Sequence, residues 1–391
     1  MSNNNAQSTR WFRRAFWSGI GALLSFVVYW FTVPPSPAVV EAYFTRGIYR
    51  RLVALLTPLT ERFAFSLAFY MMVGLFLLLP LLWAVIWVFL RKRRGASHWK
   101  GLLAGPAVLA VTTIIVLAWF VVFWGAGYQR VPVEERLGLD LDLHPHENEL
   151  LREELLIYIA QHIPEPDLRQ REEAVASIAV SMAQIVQDWD GMPIRLPSRV
   201  KAAPAGFLLY QGTTGVCAPF TLEANVDGAL PDVAFVYTAA HELGHVAGFN
   251  TESGATLIGF AAGLQAAHPF ARYAVALDLY TDLVNLLPPM QWEREIRRLP
   301  EPALEDLRHI RDTYDYHVNP WLREKQRAIY EQYLQSQGVE AGLVNYAQGA
   351  LLFASAWRKG VIRTPGLLPP GEAIIPAVQP AAPAEDIPDA A

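Results

Sequence analysis

Cysteine is nearly absent from this chain. Cys217 stands alone among 391 residues, so no disulfide can form within the chain and no zinc site built on cysteine thiolates can be assembled. Any metal has to be held by histidines and carboxylates. Charge is scarce too: 18% of residues are Asp, Glu, Lys or Arg against 53% hydrophobic, which is too apolar for an ordinary soluble protein of this length. The net charge of -5 and the lack of a basic patch interleaved with aromatics exclude nucleic acid as a partner. No internal repeat is present.

Long apolar runs take the place of charge. Residues 15–33, about 64–90 and 102 to about 125 can each cross a hydrocarbon core roughly 30 Å thick as a helix, and Pro80 and Pro106 are tolerable within such spans. The sequence therefore predicts a membrane domain, residues 1–127, with three transmembrane helices and the lipid bilayer as partner. The first run resembles a signal peptide, with Ser36 and Ala38 near a cleavage site, but its length favours an uncleaved anchor. The spans hold almost no ionisable residue, which argues against a transport pathway. Arg10, Arg13 and Arg14 precede the first run, and Arg91, Lys92, Arg93, Arg94 and Lys100 crowd the second loop. The positive-inside rule places both flanks in the cytoplasm and everything from about Tyr128 outside it. Residues 34–63 read as an amphipathic juxtamembrane helix in which Arg46, Arg50, Arg51 and Arg62 mix with Glu41 and Glu61.

The predicted extracytoplasmic domain, residues 128–363, is mainly α with a small β element, an α+β arrangement. Apolar residues recur at helical spacing from His144 to Asp190, broken by Pro164 and Pro166. The stretch from Arg195 to Val226 reads as a small antiparallel sheet or strand-like loops, and the helical pattern returns after Pro231. The Pro/Ala-rich tail, residues 364–391, is expected to be disordered.

One helix carries chemistry. It runs from Asp232, read as its N-cap, through Val246 to Gly248, and contains His241-Glu242-Leu243-Gly244-His245, the H-E-x-x-H pattern of zinc hydrolases. Residues four apart share a helical face, so both imidazoles can meet one Zn2+ ion. Glu242 then stands where it can take a proton from a water whose pKa zinc lowers toward about 7. The usual alternative is a pair of core histidines satisfied by backbone or carboxylate groups. Chance gives the pattern in about one such chain in a hundred, and the capped helix with a β-like segment before it favours the metal.

A catalytic zinc needs a third protein ligand. Glu252, opening the next helix, is the first candidate, although a helix-start carboxylate is common for electrostatic reasons alone. Asp278 and Asp282 are alternatives as ligand or as partner to a histidine, although acids in such positions are more often solvated helix acids. The alternation over residues 219–226 suits an edge strand that receives an extended peptide by β-addition, with Glu223 meeting a substrate amine or simply facing solvent. His309, Tyr314, Tyr316 and His317 could supply a donor to a developing oxyanion. The distance along the chain from the last apolar run to the histidines favours a site in water.

These residues resemble a family of bacterial membrane proteins known only as a domain of unknown function, number 3810. The likeness includes Glu41-Ala42-Tyr43-Phe44, Trp124-Gly125 with Tyr128 and Arg130, Gly215, Pro219-Phe220-Thr221, Glu223-Ala224-Asn225, the histidine motif with Gly248-Phe249, Gly338-Val339 and Tyr346. It implies a zincin-like metallopeptidase core behind N-terminal membrane helices in the bacterial cell membrane, but no substrate. The family usually places an acid, one residue, then Glu-Ala-Asn after the motif, whereas this chain has Glu252-Ser253-Gly254-Ala255-Thr256. The expectation is a zinc-dependent peptidase with His241, His245 and Glu252 on the metal, Glu242 as base and protein or peptide as substrate. The second reading, motivated by Gly254, is an inactive zincin-like scaffold.

Overall fold

The computed structural model describes residues 2–33, 35–94, 104–337, 339 and 345–367. Most of the tail expected to be disordered, from 368 onward, lies outside the described residues, as does the later part of the basic loop at 95–103. The described chain is mostly helical with one three-stranded sheet.

Three N-terminal helices carry the apolar runs: Ser2–Thr32 (α1), Leu67–Arg94 (α3) and Ala104–Phe123 (α4), with Arg50–Thr60 (α2) between the first two. Among the described residues, one helix is long and apolar enough to cross a membrane, Leu67–Phe89 within α3. The apolar part of α4, Val108–Val121, falls short of the roughly 20 residues a crossing needs. The expectation of three spans is corrected to a single candidate. α1 and α4 pack against one another, and Val27, Ala118 and Val121 are buried, so part of their apolar surface faces protein.

The remaining helices form one packed body: Pro145–Gln161 (α5), Arg171–Asp190 (α6), Asp232–Val246 (α7), Glu252–Leu264 (α8), Pro269–Asn285 (α9), Pro289–Ile296 (α10), Glu301–His317 (α11), Pro320–Ser336 (α12) and Asn345–Arg358 (α13). α8 is its axis. Every one of its residues is buried, between α6, α7, α9 and α13. Leu257 and Ile258, both fully buried, each contribute about 1.5–3 kcal/mol by burial. Small residues let α7 and α8 approach backbone to backbone. A methyl on Gly244 would lie 2.8 Å from the Ala255 carbonyl oxygen, and one on Gly259 would lie 3.2 Å from the backbone of Ala240. This crossing, which side chains of ordinary size would prevent, sets the start of α8 beside the last turn of α7.

α7 begins where the sequence signals said, but Pro231 rather than Asp232 is the N-cap. Asp232 instead sits in the first turn, where its charge meets the helix dipole, and pairs with Arg171 at 3.5 Å. Gly248, at φ +95°, turns the chain in a conformation that L side chains rarely adopt.

The sheet runs β1-β3-β2, with β1 Lys201–Ala203, β2 Gly215–Ala218 and β3 Glu223–Asp227. β3 is central, parallel to β1 and antiparallel to β2. The expected edge strand over 219–226 is thus corrected: all five β3 residues are buried, β1 and β2 form the two edges, and β2 is the one that lines the cavity described below. The buried Asp227 carboxylate accepts N–H bonds from Gly206, Leu208, Leu209 and Ala229 at 2.7–3.0 Å, which pins the loop leading into β2.

Residues 35–63 are an integral part of the body rather than a separate juxtamembrane helix. Residues 40–49 form a wide π-type helix that continues into α2. The Tyr49 hydroxyl donates to the carbonyls of His245 and Val246, each at 3.1 Å. Buried Asp190 takes ion pairs from Arg50 at 2.9 Å, Arg130 at 2.8 Å and Arg136 at 2.5 Å, and Arg130 also pairs with Glu41 at 2.8 Å. Arg50 and Arg130 therefore serve packing, and their charges carry no information about membrane sidedness.

Candidate metal centre

The last turns of α7 present His241 and His245 on one face, as the four-residue spacing requires. Their rings are 4.8 Å apart and perpendicular. The close crossing of α7 and α8 sets Glu252 against both: its Oε2 lies 3.0 Å from Nε2 of His241 and 3.5 Å from Nε2 of His245. The three side chains offer ligand atoms within 4.8 Å of one another and could hold a metal ion.

Each of these three side chains has a second partner that fixes it. His245 donates from Nδ1 to the Phe249 carbonyl at 2.8 Å, which directs Nε2 toward Glu252. Nδ1 of His241 is 3.1 Å from the hydroxyl of Thr256, one turn beyond Glu252 on the same face of α8. Tyr330 of α12 donates to Oε1 of Glu252, and its ring stacks on Tyr333, which in turn bonds Tyr128 at 3.1 Å. Such outer partners orient metal ligands and set their basicity.

The electrostatics suit a cation. Burial opposes charge on Glu252, but His245 and His241 outweigh it and hold the carboxyl well below the ordinary range. Burial likewise opposes a charged His245, yet Glu252 and Glu242 push its pKa up to about 9.

Glu242 points elsewhere on the same cavity. It is 5% exposed, and its Oε2 has no hydrogen-bond partner among the described residues. Burial raises its pKa, while the neighbouring histidines and the Cys217 backbone pull the other way. It lies against β2 closely enough that a methyl on Gly215 would come 2.7 Å from its Oε1.

These side chains line a cavity of about 850 Å³, whose walls include β2, α9, α12 and, at the end of α4, Phe120 with Trp124 and Tyr128 beyond it. The Trp124 ring lies 6.2 Å from that of His245, so the long sequence interval between the last apolar run and the motif corresponds to direct proximity in space.

The other sequence candidates divide. Asp278 and Asp282 line the cavity but stand outside the ligand group. Burial raises both pKa values, that of Asp282 to about 7. Tyr314 also reaches the cavity, while His309 is exposed, Tyr316 is 84% exposed and His317 packs against Tyr316 and Gly206. Glu223 meets neither a substrate amine nor solvent. It is buried, and its carboxylate accepts the backbone N–H groups of Leu67 and Ala68 at 3.1 and 2.8 Å, capping the start of α3. Gly254 is no vacant ligand position: a methyl there would meet Thr251 Oγ1 at 2.8 Å and Phe249 at 3.5 Å, on the face of α8 away from the histidines.

Sequence reading did not single out Tyr330, Tyr333, Thr256 or Phe120. Thr256 was within reach, since it follows Glu252 by one helical turn. Tyr330 was not, because nothing local shows that α12 crosses the cavity.

A family model described as a protein of unknown function, DUF3810, matches residues 44–353. The chain belongs to this family. No curated protein and no solved structure matches it. The part of the chain shared with DUF3810 begins in the wide helix before α2 and ends within α13, so it takes in the candidate span and every residue of the cavity described above.

Proposed function

We propose that this DUF3810 protein is a membrane-anchored zinc-dependent hydrolase, and within that class a peptidase with a zincin-like site. The observation that carries the reading is the convergence of two histidine nitrogens and one carboxylate on one point while a second buried carboxylate, Glu242, lines the same cavity with an unpaired oxygen. Three nitrogen and oxygen donors are the usual protein set of a catalytic zinc, which keeps a further position open.

His241, His245 and Glu252 would hold the ion. A zinc there would act as a Lewis acid and lower the pKa of a water toward about 7. Glu242, lifted above the ordinary carboxylate range by burial, is suited to accept a proton and return it to a leaving group, because such a shuttle works best with a pKa near the working pH. Edge strand β2 borders the cavity, and an extended peptide laid along it would carry a scissile amide past the histidines. Gly254 motivated the scaffold reading, and its placement away from the ligand atoms removes that motive.

Membrane anchoring rests on α3 as the candidate span. The basic residues at the end of α3 and in the loop after it support a cytoplasmic position for that end, so the body that caps the first turn of α3 through Glu223 would lie on the extracytoplasmic side of the bacterial cell membrane.

The test is zinc content and peptide hydrolysis of the detergent-purified chain. Glu242→Gln should keep near-stoichiometric zinc and lose hydrolysis by at least about a hundredfold, whereas His245→Ala should lose the zinc. Full turnover in Glu242→Gln would remove Glu242 from the mechanism.

A further inference from the structure

Resting on that reading, we propose that the cavity opens at the outer surface of the bilayer and takes a membrane-anchored polypeptide, which it cuts in the extended segment just outside the lipid.

Two independent attachments carry the placement. The candidate span α3 starts on the domain itself: Glu223, the first residue of β3, caps Leu67 and Ala68, Ser66 caps Phe69 at 3.1 Å, and the Lys201 ammonium bonds the carbonyl of Thr60 at 3.2 Å. β3 is flanked directly by β2, the strand that walls the cavity. On the other side, the apolar helix α4 ends in the cavity wall, where Phe120 and Trp124 face the metal centre. The site thus lies between the ends of two apolar helices, each within a few residues of it.

The segments beside the start of α3 and next to the cavity-lining stretches of β2 and α12 expose side chains of the kind that an interface with headgroups selects. Phe207 is 44% exposed, Tyr210 53%, Val216 43%, Phe220 38% and Trp321 65%, where aromatic side chains are favoured between hydrocarbon and water. They are continuous with the span. The Phe207 ring meets that of Phe69, in the first turn of α3, at 5.2 Å, and the Tyr210 carbonyl receives the Asn319 N–H at the start of α12 at 3.0 Å. A loop held level with the first turn of a membrane helix sits at the membrane surface.

The chemistry of the cavity selects a polypeptide. β2 is paired on one side by β3 and borders the cavity on the other, so an extended chain can add to it. Phe120, Trp124, Phe260, Tyr330 and Tyr333 on the facing walls favour bulky apolar side chains flanking the scissile amide, as occur where a polypeptide leaves a membrane.

Placement and substrate are tested separately, on the full chain in phosphatidylcholine vesicles. A fluorophore on Phe207→Cys, Tyr210→Cys or Trp321→Cys should be quenched several-fold more strongly by lipids spin-labelled near the headgroup than one on Val180→Cys, which is 74% exposed on α6. Native Cys217 is buried and stays unlabelled. Equal quenching at all positions overturns the proposal whether or not the protein hydrolyses peptides. The second measurement uses a synthetic transmembrane peptide carrying three identical apolar cleavage cassettes at increasing distance from the bilayer. The cassette nearest the lipid should be cut first and most. Equal cutting of all cassettes overturns the proposal. If quenching is as expected but the zinc-loaded protein cuts none, the polypeptide assignment and the peptidase reading fall together, while the placement stands on its own result.

Discussion

Tyr330→Phe removes one oxygen and keeps the ring that stacks on Tyr333. The lost hydroxyl is the donor to Oε1 of Glu252, the oxygen turned away from the histidines. Two routes give the size of the effect. A hydrogen bond to a buried charged group contributes about 1.5–3 kcal/mol. Loss of an outer partner of a metal ligand weakens metal binding about 10- to 100-fold, equivalent to about 1.4–2.7 kcal/mol. The agreement sets the expectation that the zinc dissociation constant rises by about one to two orders of magnitude. Competition with a chromogenic chelator at neutral pH measures it, with His245→Ala as the reference for a lost ligand. α12 is anchored to the body through few elements, chiefly the turn Leu209–Gln211, so circular dichroism of the zinc-free variant should match the wild type. A dissociation constant within about twofold of wild type in a folded variant lies well below the expected loss, and would show that Tyr330 does not set the orientation of Glu252.

Gly215→Ala should leave zinc content unchanged and lower hydrolysis about a hundredfold, since the methyl occupies the space of the Glu242 carboxylate and a displacement of about 1 Å suffices for such a loss; unchanged turnover would show that Glu242 need not rest against β2. Glu223→Ala should destabilise the detergent-purified protein by about 2–4 kcal/mol, because two helix-start N–H groups lose a charged acceptor, and an unchanged thermal midpoint would refute the cap. Asp282, with its pKa raised to about 7 by burial, is protonated in the folded state and ionised in the unfolded one between about pH 4 and 7. The folded state binds the extra proton there, so stability falls as pH rises through that window. Screening through the open cavity reduces the effect to the order of 1 kcal/mol. Asp282→Asn should flatten the midpoint-against-pH curve there, and a curve that keeps the wild-type slope would assign the titration to another group.

Local pattern alone determined much of this protein. The apolar runs marked α1, α3 and α4, because their residues need no partner of known position to be recognised. The prolines and the 3.6-residue period marked α5, α6 and α7, and the four-residue spacing of His241 and His245 put both rings on one face of α7. Glu252 could be named as the third member because it opens the helix after the turn at Gly248. What the sequence could not supply was anything decided between elements. Glu223 reads as a strand acid and becomes the cap of the candidate span because β3 lies against Leu67. Residues 219–226 read as an edge, and their strand is central because β1, which precedes β2 in the chain, pairs in parallel on its other side. Arg50 reads as part of an amphipathic juxtamembrane helix and is instead gathered, with Arg130, by Asp190. Gly254 reads as a lost acid, yet faces Thr251 and Phe249. Tyr330 carries no local signal at all. Periodicity fixes which face of a helix is buried, but not which partner it meets, and here the candidate metal centre forms only where Gly244 and Gly259 let α7 and α8 cross closely enough for Glu252 to reach both histidines.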